Sequence, residues 1–493
     1  MKTKLYTLLI ATIFIGTFNI SAQVNTFRHV FGGIGDDFGQ DIEQTADGGY
    51  VITGATGSFG YGQSDVYLLK IDSLGIYEWS RSYGGSNIDW GYDVEITSDG
   101  GYVIAGYTNS FGAGGYDFYL LKTDSIGDTL WTKTYGGWNW DRCFSMDITS
   151  DDGFVLVGET YSYGAGETDV WVVKADEFGD TLWTKTFGGN LEERANSVFE
   201  TYDGSLIICG NSSTYSDGGA DGIILKIDNL GEIDWFSNYG GPEDQNYKSV
   251  IQYYDTSGYI CFGTNNISST QSKMYMTKFD NFGSFEWDKQ YGNGAINTGS
   301  AVSNRGSGSM VVAGTNDNSI NSIEVLVTSP TGGFWANNAN IGGADADVGN
   351  DIILTSDNHF AILGSTKSFG FGYSDILVYK SSSSIESDSS NYTTQQDTNT
   401  VKYPIPFTGL SENNLDKNIT IYPIPSSNNK INLSSKKSII DAKLYNVLGQ
   451  LIPIVLHINN NLATIENLSL VKGIYLLELN LDGQVVYQQV VFE

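Results

Sequence analysis

Short apolar and aromatic runs, each closed by a turn rich in glycine or aspartate, follow one another along most of this chain. In one stretch the runs Tyr92 to Thr97, Tyr102 to Tyr107, Asp117 to Thr123 and Thr129 to Tyr135 predict four successive strands. Asp99-Gly100-Gly101 supplies the left-handed positions of a tight hairpin, Phe111-Gly112-Ala113-Gly114-Gly115 is a longer glycine loop, and Asp124-Ser125-Ile126-Gly127 is a third turn.

The same unit recurs. An aromatic followed by paired glycines opens it at Phe31-Gly32-Gly33, Tyr83-Gly84-Gly85, Tyr135-Gly136-Gly137, Phe187-Gly188-Gly189 and Tyr239-Gly240-Gly241, with weaker copies at Gly292 and Gly342-Gly343. The first glycine advances by 52 residues five times and then by 50, a period that marks the blades of a β-propeller. The seventh copy stops at Lys380 after its third strand. The missing fourth lies at the other end, where Thr26 to Gly33 aligns with Leu130 to Gly137, so the N-terminal segment is expected to complete the last blade. The expected fold class is therefore all-β, a seven-bladed β-propeller of four-stranded blades closed by an N-terminal strand. A small C-terminal β-sandwich is expected after it.

Composition supports strands and tight turns, with 60 Gly, 7 Pro, 31 Tyr, 24 Phe and 10 Trp. A net charge of -31, with no lysine-arginine stripe, argues against nucleic acid and anionic membrane surfaces as partners. Met1 to Ala22 has the charged, apolar and small-residue order of a signal peptide, and no other run is long enough for a membrane span in the mature chain. Cys143, Cys209 and Cys261 fall in apolar runs without metal-ligand spacing and read as buried small side chains. His29, His359 and His457 lie in different segments, and none has a plausible Ser or Cys partner nearby for a hydrolase triad.

Three sets of residues are candidates for chemistry. The spacing Asp72-x-x-Gly75-x-x-x-Trp79 recurs at Asp124/Gly127/Trp131, Asp176/Gly179/Trp183, Asp228/Gly231/Trp235 and Asp280/Gly283/Trp287. It resembles the tryptophan-docking motif of quinoprotein propellers and differs from the sialidase Asp-box; the resemblance implies an indole packed on the neighbouring blade. Polar residues at Asp37, Asp89, Asp141, Glu193, Gln245, Asn297 and Asp347, and at Asp41, Asp93, Ser145, Ser197, Ser249, Ala301 and Asp351, are expected to form two rings at the channel mouth. Asp37, Asp89, Asp141 and Asp347 could hold Ca²⁺, the one cofactor weighed, or could simply bond to loop amides of their own blade. The loop face is aromatic, and Trp90, Trp138, Trp140, Tyr61, Tyr163 and Phe371 are candidates for stacking on sugar rings or anchoring a protein, with packing between blades as the alternative.

From Ser381 to Asp416 the chain is rich in Ser, Thr, Asn and Gln and is expected to be a flexible linker. Strand signals return at Ile419 to Tyr422, Lys430 to Leu433, Ala442 to Asn446, Leu462 to Ile465, Ile474 to Leu479 and Val485 to Val491. Ile421-Tyr422-Pro423-Ile424-Pro425, Leu444 to Gln450 and Leu468 to Leu477 resemble the type A C-terminal sorting domain of the type IX secretion system. Tyr422, Pro423, Pro425, Gly449, Lys472, Gly473 and Tyr475 carry the likeness; Ile424 stands where that family usually has asparagine. The resemblance implies the type IX secretion machinery as a partner and a secreted or outer-surface location after export through the periplasm.

The expected domains are a signal peptide at 1–22, the propeller at 23–380, the linker at 381–416 and the sorting domain at 417–493. The expected function is a non-catalytic surface or secreted propeller that binds glycans or proteins. The alternative is a carbohydrate-active enzyme, a glycosidase or lyase, using loop carboxylates.

Overall fold

The computed structural model describes residues 26–292, 296–305, 308–317, 321–381, 393–396, 401–403, 419–422, 430–435, 437–446, 451–466, 473–481 and 484–492. The proposed leader, 1–22, lies outside them. Among the described residues there is no helix, and the strands of the repeat region form seven antiparallel sheets of one pattern. The second sheet in chain order contains Asp89–Ile96, Tyr102–Thr108, Asp117–Thr123 and Thr129–Tyr135. Its innermost strand starts three residues before the expected Tyr92, because Asp89 already pairs with Thr108.

Burial follows position within a sheet. The second and third strands, such as Tyr50–Thr56 and Asp65–Ile71, are buried along their whole length because other sheets cover both faces. Fourth strands lie at the rim, and Thr181–Phe187 and Ile233–Tyr239 alternate between half-buried and exposed. First strands line the axis. Each touches the first strand of the next sheet, and Asp347–Leu354 touches Asp37–Gln44, so the circle closes.

The closing sheet takes its fourth strand from the other end of the chain. Phe27–Gly32 lies antiparallel to Asp375–Ser381, with Phe27 opposite Lys380 and Phe31 opposite Ile376. Phe27, Phe31, Ile42 and Ile52 join Leu363, Ile376 and Val378 in one apolar cluster across the seam. His29 Nδ1 donates to the Gly75 carbonyl at 2.6 Å, tying the clasp to the next sheet.

Two short stretches of the segment expected to be a flexible linker are strands. Thr393–Gln396 pairs in parallel with Phe27–Gly32, and Val401–Tyr403 pairs in parallel with Tyr77–Tyr83. A rim strand leaves one row of backbone donors and acceptors unpaired, which any extended segment can satisfy whatever its side chains.

The docking turns do what their spacing implies. Gly127 has φ of +81°, and a Cβ there would lie 2.7 Å from the Trp79 ring of the preceding sheet. Trp131 covers Gly179, Trp183 covers Gly231 and Trp235 covers Gly283 in the same way. Beside them, Tyr83 Oη donates to the Gly127 carbonyl and Tyr135 Oη to the Gly179 carbonyl, both at 2.6 Å.

In the tail, Ile419–Tyr422, Lys430–Ser435, Val455–Asn459 and Leu462–Glu466 form one sheet. Ile439–Asn446, Leu451–Ile452, Gly473–Leu481 and Gln484–Phe492 form the other. Leu433 and Ile465 of the first pack with Leu444, Leu477 and Leu479 of the second. Tyr422 ends one strand, and Gly473 and Tyr475 lie in another; Pro423, Pro425, Gly449 and Lys472 lie outside the described residues.

Two variants test this account by thermal melting. Gly127→Ala should destabilise by about 2 to 3 kcal/mol, adding the ring clash to left-handed strain. Gly100→Ala, at φ of +79° with open space beside it, should cost only about 1 kcal/mol. Equal losses would mean that the indole contact contributes nothing. Removing residues 26–33 should lower Tm steeply and produce concentration-dependent self-association by light scattering, because the edge of Asp375–Ser381 is then bare.

Candidate ligand-binding site

The first ring of polar residues is buried, not at a channel mouth, and this corrects the expected placement. Asp37 accepts from Gly33 N–H at 2.7 Å, from Ser58 Oγ at 2.6 Å and from Thr56 Oγ1 at 2.5 Å. Asp89 accepts from Gly85 N–H, Ser110 Oγ and Thr108 Oγ1, and Asp141 from Gly137 N–H, Ser162 Oγ and Thr160 Oγ1. Asp347 accepts from Gly343 N–H at 2.7 Å and Ser368 Oγ at 2.8 Å. These are ties within one sheet and the connection leading into it, with donor hydrogens aimed at the oxygens a cation would need. Among the described residues no group of three or more His, Cys, Asp or Glu is placed to hold a metal ion.

The second ring does face the axis, and five of its seven members, Asp41, Asp93, Ser145, Ser197 and Asp351, bridge two sheets. Asp41 Oδ2 accepts Val94 N–H at 2.8 Å and Asp93 Oδ2 accepts Met146 N–H at 2.8 Å. Ser145 Oγ takes Val198 N–H, Ser197 Oγ takes Val250 N–H, and Asp351 Oδ2 takes Ile42 N–H, at 3.2 to 3.3 Å. Just before each bridging residue the ladder slips by one, between Gly39 and Asp41, Gly91 and Asp93, Cys143 and Ser145, and at the equivalent places of the other sheets. Such a bulge leaves one residue per sheet unpaired and re-aims its side chain.

Those seven bulge residues, Gln40, Tyr92, Phe144, Asn196, Lys248, Ser300 and Asn350, come from seven different sheets and line one cavity of about 470 Å³ on the axis. Arg194, Asn246, Thr264, Asn266, Thr298 and Gly299 complete its wall. Arg194 lies over the Phe144 ring, 3.6 Å from its centroid. Lys248 Nζ reaches Asn196 Oδ1 at 3.5 Å, while Asn196 Nδ2 donates to Asn246 Oδ1 at 2.9 Å and to the Tyr247 carbonyl at 2.8 Å. Nearby Arg142 is paired with Glu159 at 2.6 Å.

Carboxylates line the axis beyond the bulges. Burial and the repulsion of Asp93 and Asp351 raise Asp41 well above the ordinary carboxylate range, and burial with Asp351 and Asp93 pushes Glu43 up to about 8. Burial raises Asp93 to about 7 and Asp147 to about 6, and lifts Glu95 and Asp351 as well. Where the first and second strands turn, Asp47, Asp99, Asp151 and Asp357 sit at about 2; hydrogen bonds from turn threonines and the ammonium groups of Lys70, Lys122, Lys174 and Lys380 outweigh their partial burial.

The aromatic candidates divide. Trp90 is half-buried, stacked on Phe38 at 5.4 Å and on Tyr107 at 6.4 Å, with Nε1 donating to Ser64 Oγ at 2.9 Å. Ring contacts continue from Tyr107 to Tyr116, Trp140 and Tyr161, and from Trp90 through Tyr92 to Phe144. One aromatic arc thus runs across three sheets to the cavity. Trp140 is half-exposed on it and Trp138 beside it is 92% exposed. Tyr163 turns away to Trp171, its Oη donating to the Gly136 carbonyl. Tyr61 and Phe371 are exposed in loops of the first and last sheets and make no ring contact among the described residues. Sequence reasoning missed Arg194, Lys248 and the amides. For Lys248, Gln40, Asn196 and Asn350 the signal is a repeat position that varies freely beside one that stays small, Asp41 through Asp351; Arg194 stands two residues before the variable position of its own repeat.

Residues 420–493 match a known family described as a secretion system C-terminal sorting domain. Such a domain implies dealings with the type IX secretion machinery and a secreted or cell-surface location. Over 196 residues the chain is 25% identical to the regulatory protein FlaEY of Caulobacter vibrioides, covering 35% of this chain and 20% of that protein. The chain therefore spans about a fifth of the length of that relative. Among solved structures it is similar to the WD40 domain of Neurospora crassa Pan2, with TM-score 0.40 and 11% identity over 71% of this chain and 90% of the other. It is also similar to Sqt1 from Chaetomium thermophilum, with TM-score 0.41 and 11% identity over 69% and 82%. The closed circle of four-stranded sheets is what makes the repeat region a propeller. Among the described residues no helix is long and apolar enough to cross a membrane.

Two measurements follow. Between about pH 4 and 8 the axial carboxylates bind more protons folded than unfolded, so Tm should fall as pH rises through that window. Asp41→Asn, which keeps an acceptor for Val94 N–H, should flatten the slope; an unchanged slope would remove these groups as its cause. The turn aspartates act in the opposite sense, and their contribution is lost only below about pH 4. Asp89→Ala should cost about 2 to 3 kcal/mol by stranding buried donors, equally with Ca²⁺ or a chelator present. A Ca²⁺-dependent stabilisation abolished by Asp89→Ala would instead make these carboxylates metal ligands.

Proposed function

We propose that this chain is an exported seven-bladed propeller that binds glycans through the aromatic arc of its loop face and is delivered to the outer surface or medium by a type A sorting domain. In this proposal residues 1–22 are a leader, 23–380 the propeller, 381–416 the connection and 417–493 the sorting domain. The observation that carries it is the continuous run of ring contacts from Phe38 and Trp90 to Trp140 and Tyr161, ending beside the exposed Trp138. Partly exposed indoles and phenols held rigid by one another offer flat apolar faces at little entropic cost, which suits sugar rings. A glycosidase would need two free carboxyl groups flanking a substrate, whereas the loop carboxylates Asp37, Asp89 and Asp141 are engaged by threonine hydroxyls of their own sheets and by glycine amides of the preceding connection.

A screen of neutral and acidic oligosaccharides, scored for binding and for cleavage, tests the proposal. Binding should weaken at least ten-fold, about 1.4 kcal/mol, in Trp140→Ala and in Trp138→Ala, with no product formed. Binding indifferent to both substitutions, or any cleavage, would overturn it.

A further inference from the structure

We infer that the cavity on the propeller axis is a subsite for the carboxylate of an acidic saccharide, entered by the end of a chain that carries a terminal hexuronate. This rests on the glycan-binding proposal and adds the ligand's charge and orientation to it.

The first ground is an imbalance of charge. The chain has 57 acidic and 26 basic residues, so partners for lysine and arginine are plentiful. Lys70, Lys122, Lys174, Lys226, Lys278 and Lys380 each hold a carboxylate at 2.5 to 3.0 Å. Arg194 and Lys248, on neighbouring sheets, share the cavity; among the described residues neither is in an ion pair of its own, and the carboxylate whose charge reaches both is Glu159, already held by Arg142. Burial and the Arg194 charge pull the Lys248 ammonium down to about 8. Arg194 Nε is buried without a hydrogen-bond partner, and its guanidinium is held flat on Phe144. An ammonium with three donors whose one contact is Asn196 at 3.5 Å has donors to spare. Arg142, Arg194 and Lys248 thus share the field of one carboxylate, Glu159, which is ion-paired with Arg142 alone; three cations on one anion leave positive charge in excess, and an external anion is what would compensate it.

The second ground is the rest of the wall. A simple inorganic anion needs only the two cations. Here Gln40, Asn246, Asn266 and Asn350 add amides, which both donate and accept, and Tyr92 and Phe144 add apolar rings continuous with the arc outside. Hydroxyl groups and a sugar face match that combination. The volume, about 470 Å³, is within the range of small-molecule pockets. Because all seven inner strands surround the axis, a ligand enters lengthwise, which admits a chain end and refuses the middle of a polymer.

Calorimetry on the full chain with glucuronate, galacturonate, glucose, acetate and inorganic phosphate tests the inference, together with Lys248→Met and Arg194→Gln. The uronates should bind at least ten-fold more tightly than glucose or acetate, and each substitution should remove at least that factor. The Tm of Lys248→Met should equal or exceed that of the parent, since a repulsion is relieved, so lost binding there is not lost folding. Uronate affinity unchanged in both variants, or phosphate and acetate binding as tightly as uronate, would overturn the subsite. Neutral oligosaccharides binding with no preference for a uronate end would sink this inference and leave the glycan proposal standing. Failure of every saccharide to bind would sink both.

Discussion

A sheet whose second and third strands are apolar on both faces has no side it can turn to water, and the rest of this structure follows from that constraint. Val51, Leu68, Val103 and Leu120 are fully buried although their sheets are only four strands wide, because neighbouring sheets cover them front and back. An open row of such sheets would leave two apolar faces bare, one at each end. Closing the row abolishes both at once. The clasp then joins distant parts of the chain: the last sheet gains its fourth strand only from Phe27–Gly32, and that strand finds its antiparallel partner only in Asp375–Ser381.

Packing alone does not fix how far one sheet is turned against the next. That angle is held at two radii. Near the rim, an indole covers the docking glycine of the following sheet at Gly127, Gly179, Gly231 and Gly283, a tyrosine hydroxyl adds a bond at Gly127 and Gly179, and only glycine permits both the backbone angle and the contact. Near the axis, a short side chain accepts an amide of the following sheet. The inner link needs an amide that points sideways instead of along its own ladder, and the bulge supplies the re-aimed backbone. The residue left unpaired takes no part in its own ladder, so its side chain is open to variation around the axis, although Asn196 and Asn350 still bond across to the neighbouring sheet.

Much of this was legible from the sequence because tight turns, paired glycines and buried strands each demand particular residue types at fixed spacing. Asp117 to Thr123 and Thr129 to Tyr135 are strands with the expected ends, and the clasp was visible as an alignment of Thr26 to Gly33 with the end of another copy. The docking tryptophans were legible for the same reason. What escaped was anything set by the turn between neighbouring sheets. Asp37 and Asp41 are four apart and chemically identical, yet one is sealed within its own sheet and the other reaches across to Val94. Arg194 and Lys248 lie 54 positions apart and share one cavity only because neighbouring inner strands, bulged at Asn196 and Lys248, surround one axis. Thr393–Gln396 escaped because a rim edge selects for extended backbone and ignores side-chain character.

The distribution of charge along the axis has a consequence for any ligand that enters. Beyond the bulge residues lie Asp41, Glu43, Asp93 and Glu95, whose raised proton affinities show how costly a second negative charge is there. Arg194 and Lys248 line the cavity at the level of the bulges. A small anion is thus attracted at that level and repelled further in, so the field itself would hold it at a fixed depth with its remainder pointing outward. Outward, on the side of Tyr92 and Phe144, is the aromatic arc. Charge and aromatic surface are therefore arranged in series along one path, and an uncharged chain end would lack whatever stops an acidic one.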